Sequence, residues 1–228
     1  MSRTTPSILV EHLTAWLGQW PPAGAGLSVV GSDVRSVPGW DGHVHDVIGV
    51  TMPTGGVLSV APERVDAVAR LVGGRDITAD LAAIAVAGAL GEAVGRVGRV
   101  GLGAFRWSTT PTPTPDTGEW VPTDDPRVPE WLWPFNGDVL IGWDEEGRYG
   151  AGVGRKQHDG FGHELSVGTE PVLQGRGIAR ALVTTAARRI LDDGAVPTYL
   201  HAHSNVASAH VAEASGFPDE GWQVIGLW

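Results

Sequence analysis

The chain has 228 residues and a formal net charge of −10, a length that fits one large domain or two small ones and a charge that argues against nucleic-acid binding, which needs a basic face. It has no cysteine, so disulfides, zinc–thiolate sites, iron–sulfur clusters and thiol nucleophiles are excluded. Ten tryptophans are many for this length, and those outside a core are expected to line a concave site. The N-terminus lacks a charged start followed by an apolar run. The longest apolar stretch, 81–90, is too short to span a bilayer, and the expectation is a soluble, cytoplasmic chain with no membrane partner.

Apolar residues at 9, 10, 13, 16, 17 and 20 predict a helix over Ile8–Trp20. Val47–Val50 and Val57–Val60, separated by Pro53-Thr54-Gly55-Gly56, predict a hairpin. Pro62 opens a helix to about Val72, and Thr78 caps a second over 79–94. A strand follows over 99–107. The alternating prolines of 109–115 support neither helix nor interior strand and predict an extended connector. A short helix is expected over Val128–Trp133.

From Asp138 the pattern is regular. Strands are predicted over Val139–Trp143, Tyr149–Gly154 and His163–Thr169, a helix over Gly177–Asp192, a strand over Tyr199–His203, a helix over Asn205–Ser215 and a last strand over Trp222–Leu227. The expected fold class is α/β (α+β), a mixed and mostly antiparallel sheet flanked by helices. The expected divisions are an α/β extension over 1–107, a Pro/Trp-rich connector over 108–135 and a ligand-binding region over 136–228.

The stretch that carries chemistry is Gln174-Gly175-Arg176-Gly177-Ile178-Ala179, where a strand runs into a helix. Glycines at a helix start let backbone N–H groups approach an anion, which the helix dipole favours. Arg176 and Arg180 add positive charge; a plain glycine turn without ligand is the other reading. A mononucleotide loop would need a lysine that is absent, and a dinucleotide fingerprint would need a small residue where Arg180 stands.

Two motifs together give a resemblance. Gln174-x-x-Gly177-x-Ala179, and Asn205, Ser208 and Gly216-Phe217 after it, resemble the GNAT superfamily of acyl-CoA-dependent N-acyltransferases over roughly residues 136–228. The chain as a whole resembles bacterial members with a long N-terminal extension; a degenerate half-copy of the same fold is one reading of that extension.

The resemblance implies acetyl-CoA as co-substrate and no metal. Backbone amides of Gln174, Gly175, Arg176, Gly177, Ile178 and Ala179, with Arg180, would hold the pyrophosphate. Val167, Gly168 and Thr169 would pair with the pantetheine arm. Asn205 and Ser208 would contact the cofactor from the next helix. A backbone N–H at Val167 or Gly168 would stabilise the tetrahedral oxyanion. Glu164 occupies a general-base position of the family; a solvated strand-end carboxylate is the alternative. The family's acid tyrosine falls on Ala212, so that acid is missing, and His210, His203 or water are the substitutes to weigh. His201 and His203, and His43 and His45, share a metal-like spacing but read as surface histidines.

The acceptor is expected to be a small-molecule amine, with a homodimer left open. Trp107, Trp120, Trp131 and Trp133 form an acceptor wall or anchor a long loop, and Asp124, Asp125 and Glu130 attract a cation or are simply solvated. Rival readings are a non-catalytic acyl-CoA-binding or interaction module and a protein acetyltransferase.

Overall fold

In a computed structural model of the chain, residues 5–72, 89–96 and 100–227 are described. The elements in order are α1 (Ser7–Leu17), β1 (Leu27–Gly31), β2 (Val47–Met52), β3 (Gly55–Val60), α2 (Val65–Val72), α3 (Ala89–Val94), β4 (Val100–Trp107), β5 (Glu119–Val121), β6 (Val139–Trp143), β7 (Tyr149–Gln157), β8 (Gly162–Thr169), α4 (Ile178–Asp192), β9 (Val196–Ala202), α5 (Val206–Ala214) and β10 (Gln223–Leu227). The expected mixed, mostly antiparallel α/β fold is what is found. β1–β3 and β8–β9 are the parallel pairs.

The chain divides into two compact units, Met1–Phe105 with Glu220–Trp228, and Arg106–Asp219. In the first, the strands run β1-β3-β2-β10-β4. Leu58, Val60, Val68, Leu90, Val94 and Ile225 are buried together in its core. Helix α1 stops at Leu17, short of the expected Trp20. Gly18 takes a left-handed conformation (φ +89°) and its N–H returns to Thr14 O, which closes the helix. The helix expected from Pro62 begins as a 3-10 turn, Pro62–Arg64, before α2. Most of the helix expected over 79–94 lies outside the described residues; Ala89–Val94 is helical.

In the second unit the strands run β9-β8-β7-β6-β5. Helix α4 has buried residues Leu182, Val183, Ala186 and Ile190, spaced to give one apolar face. They share a core with Leu140, Ala151, Val153, Leu165 and Tyr199. The opposite face of β7 and β8 is bare of side chains at Gly152, Gly154 and Gly168, and the segment around the 3-10 turn Glu130–Leu132 lies on it. A Cβ at Gly154 would stand 2.6 Å from Phe135, at Gly152 2.8 Å from Leu132, and at Gly168 2.9 Å from Trp131. Glycine is used here for close approach of an aromatic segment to a sheet.

Arg106, 5% exposed, ties this unit together. Its guanidinium donates to Glu213 (3.0 Å), Asp219 (3.3 Å), Phe217 O (3.0 Å) and His201 Nε2 (3.1 Å). A buried cation with four acceptors is satisfied, whereas removal of its partners would leave it uncompensated.

Gly154→Ala is expected to cost about 1–3 kcal/mol, because the ring of Phe135 has no room to retreat without moving its segment. Denaturant unfolding measures this; a change within 0.5 kcal/mol in either direction, taken as roughly the noise of surface substitutions, would show that the segment yields freely.

Candidate active site

The site is built around the far end of β8. Parallel pairing of β8 with β9 runs from Gly162↔Val196 to Leu165↔Tyr199 and stops, although β8 continues to Thr169 and β9 to Ala202. On its other edge β8 stays paired with β7 as far as Ala151↔Thr169. Two bonds fix which residues face which edge: Glu170 N–H donates to Gly150 O (2.9 Å), and Val196 N–H to Phe161 O (2.7 Å). By strand alternation, Ser166 and Gly168 direct their backbone groups to β7, and Leu165, Val167 and Thr169 direct theirs toward β9. Past Leu165 that neighbour is gone. The N–H of Val167 therefore points into the opening, and the N–H of Gly168 does not.

β8 leads into a 3-10 turn, Pro171–Leu173, then Gln174 in extended conformation. Gly175 (φ +75°) and Gly177 (φ +77°) are both left-handed. Each faces open space, so glycine is needed for the backbone angle and not for packing. Gln174 Nε2 donates back to Thr169 O (3.3 Å) and braces the loop against the strand. Gly177 is the N-cap of α4 and supplies no side-chain acceptor. The first N–H groups of a fifteen-residue helix thus meet an exposed loop that carries Arg176, with Arg180 exposed in the helix's first turn. A cavity of about 640 Å³ opens beside this loop, between Trp143, Arg148, Tyr149, Glu170, Leu173, Arg176 and Ile178.

Glu164 lies on the face of β8 shared by Ser166 and Gly168. It is neither solvated nor free: Lys156 Nζ donates to its Oε1, and His158 Nε2 stands 3.1 Å from its Oε2. Burial alone would raise its pKa; Lys156, the one lysine of the chain, and His158 overcome that and hold it at about 2.

Trp131 lies over Gly168, edge-on to Phe135 (ring centroids 6.1 Å apart). Beside it the Tyr149 hydroxyl donates to Gly168 O (3.3 Å). Burial pushes Tyr149 up to about 12 and keeps it a donor.

The profile of the acetyltransferase (GNAT) family matches residues 104–217, half of the chain. The chain belongs to the acetyltransferase (GNAT) family. Similar solved structures include a GNAT-family protein from Novosphingobium aromaticivorans (23% identity, 57% of this chain and 64% of that one, TM-score 0.47). Another is a GNAT-family acetyltransferase from Colwellia psychrerythraea (14%, 57% and 56%, 0.45). A third is a GCN5-related N-acetyltransferase-like protein from Streptococcus suis (14%, 97% and 99%, 0.49). The chain thus spans about three-fifths of the first two. No curated protein matches.

In this GNAT-family chain, α5 begins at Asn205, whose Oδ1 accepts from Ser208 N (3.0 Å). Ser208 Oγ meets the Tyr199 hydroxyl at 2.9 Å. Ala212 is fully buried in the core around α4. His210 is exposed, two residues on from Ser208 and so on the other side of the helix. His203 is exposed as well, while the Nε2 of His201 accepts from Arg106 (3.1 Å) and its Nδ1 lies 2.9 Å from Ala202 O. His43 and His45 both face Asp41 (3.5 and 3.0 Å). Among the described residues, no three His, Asp or Glu side chains gather at metal-ligand spacing.

The four tryptophans of the expected wall separate. Trp107 is buried, Trp120 lies under Arg155 (4.9 Å), and Trp131 and Trp133 present exposed edges. Asp125 is held at about 2 by Arg127, whereas Asp124 and Glu130 are exposed. The spacing from Asn205 points to position 212 and misses Tyr199, which reaches the same helix from a different element. The signal available was that the chain has two tyrosines, at 149 and 199.

Glu164→Gln is expected to cost about 3 kcal/mol, since it strands the partly buried Lys156. The stabilisation from Glu164 is fully present above its unfolded value of 4.5 and is lost as pH falls through about 2. Acid titration of unfolding in both proteins tests it; parallel curves between pH 5 and 2.5 would remove the ion pair from the account.

Proposed function

We propose that the chain is an N-acetyltransferase that passes an acetyl group from acetyl-CoA directly to the amine of a small molecule. The observation that carries this reading is the opening between β8 and β9, flanked by the bare N-terminus of α4. A strand edge with free N–H and C=O groups accepts an extended amide-bearing arm as an added strand, and the helix start beside it accepts a diphosphate. Pantetheine pyrophosphate has both parts in that order.

The geometry supports the following division of work. Amides of Gln174–Ala179 take the pyrophosphate, with Arg176 and Arg180 adding charge. Val167 and Thr169 pair with the pantetheine arm, and the Val167 N–H supports the oxyanion. Asn205 and Ser208 set the start of α5 against the cofactor. Trp131 and Trp133, with Glu130 next to them in sequence and Glu170 two residues from Gly168, receive a cationic amine over Gly168. Glu164 is assigned to holding Lys156 and His158 in place. Because Glu164 is engaged by Lys156 and His158, an ammonium near pKa about 10 loses its proton to bulk solvent before it attacks. A second reading, an acyl-CoA-binding module without turnover, is favoured by Ala212, which places a methyl group where the family carries its acid.

Acetyl-CoA, and neither NAD nor ATP, is expected to raise the melting temperature; absence of a shift would sink the cofactor assignment. Thiol release from acetyl-CoA across a panel of primary amines, including spermidine, tyramine and a lysine peptide, separates enzyme from binder: silence throughout selects the module. Gly177→Val forces a β-branched residue to φ +77° and is expected to weaken acetyl-CoA binding at least tenfold by calorimetry. Unchanged affinity would remove the loop from the site.

A further inference from the structure

Two walls of the cavity beside the glycine loop, Trp143 and Glu145, have no task in the division of work above. We propose that this cavity seats the nucleoside end of acetyl-CoA, with the adenine ring laid on Trp143. The proposal rests on the acetyl-CoA reading of the preceding section.

The cavity and the loop are continuous. Leu173 and Arg176 precede α4, Ile178 opens it, and all three line the cavity. The facing wall is the tip of the β6–β7 hairpin, where Trp143 is the last residue of β6. Two glycines seat the hairpin against the loop. A Cβ at Gly150 would stand 2.8 Å from Leu173, and one at Gly142 3.5 Å from Ile178. A diphosphate held by the amides before α4 therefore has the cavity directly beside it. The next group along CoA is the ribose with its base. The volume, about 640 Å³, lies in the usual range of ligand pockets.

Trp143 offers that base a flat surface held in place from two sides. Its indole N–H donates to Glu119 (2.6 Å), and the Arg127 guanidinium lies over the ring, 4.7 Å from its centre. Arg127 is in turn held by both carboxylate oxygens of Asp125 (3.0 and 2.7 Å). Trp143 lines the cavity and Arg127 does not, so the ring face away from Arg127 is the one a ligand can cover. An indole fixed in this way loses little freedom when a base stacks on it. Stacking uses the π-face that every base has.

The polar groups of the hairpin differ in what already occupies them. Asp144 is taken up by its own turn, where it accepts from the backbone N–H of Glu146 (3.0 Å) and of Arg148 (2.8 Å). Arg148 is paired with Asp144 and Glu146. Among the described residues, the side chains of Glu145 and Arg176 have no hydrogen-bond or ion-pair partner. A carboxylate accepts from the adenine amino group or a ribose hydroxyl, and a guanidinium suits the diphosphate at the cavity mouth. The 3′-phosphate of CoA faces solvent, away from the carboxylates of the hairpin.

The test is calorimetric binding to wild type, Trp143→Leu and Trp143→Phe. The ligands are acetyl-CoA and S-acetyl-4′-phosphopantetheine, which lacks the nucleoside. Trp143→Leu is expected to raise the Kd for acetyl-CoA about tenfold and to leave that for the truncated ligand within about twofold. Trp143→Phe keeps a flat ring and should bind acetyl-CoA within about threefold of wild type. An unchanged acetyl-CoA Kd in Trp143→Leu overturns the proposal. So does an equal loss with both ligands, which marks a tryptophan that only supports the fold. A Kd in Trp143→Phe as weak as in Trp143→Leu overturns it too. A wild-type protein that does not bind acetyl-CoA overturns the preceding reading and this one with it, and that result is visible without any variant.

Discussion

Between Ser166 and Thr169, strand β8 keeps one of its two neighbours. Buried backbone groups need partners, so a strand that loses one edge inside a sheet must find another occupant or remain wet. Here the loss falls after the Leu165↔Tyr199 pair, and strand alternation decides the consequence. Odd-numbered residues face the opening and even-numbered ones remain bonded to β7. The Trp131 segment on one face and α4 on the other wall the same opening. The glycine loop lies at its mouth because β8 ends there, and α4 starts there because Gly175 and Gly177 turn the chain back.

The sequence is most legible where the chemistry is contiguous. Gln174–Ala179 and Asn205–Ser208 each build a helix start from neighbours in the chain, so spacing alone locates them. Leu182 and Ile190 reveal α4 for the same reason. What spacing cannot read is register. Tyr199 meets Ser208, Lys156 meets Glu164 and Trp131 meets Gly168 across separate elements. Sequence therefore puts Glu164 on its strand without its two cationic neighbours, and only the pairing of β8 separates Val167 from Gly168. Strands β1 and β5 leave little pattern in the sequence, because one is partly exposed throughout and the other has three residues.

An acidic chain has few cations to distribute, and their placement is uneven. Arg106, Arg155 and Lys156 are drawn inside and paired with carboxylates or carbonyls. Arg155 also bridges β7 to Asp193 at the end of α4 and covers Trp120. Arg176 and Arg180 stand exposed where an anion would arrive. The interior cations fix strands and helix ends, whereas Arg176 and Arg180 stay exposed around the start of α4.

Strand β10 lies between β2 and β4 yet follows the whole of Arg106–Asp219 in the chain. Val224 pairs with both Val50 and Gly103, contacts of long sequence separation that close slowly. The Arg106–Asp219 ion pair joins the two ends of the intervening segment, which shortens the loop that such closure must otherwise span. On the ribosome the Arg106–Asp219 segment would be complete before the sheet of the first unit receives its central strand. Half of that sheet waits for its partner as nascent chain, with the edges of β2 and β4 open to chaperones in the interval.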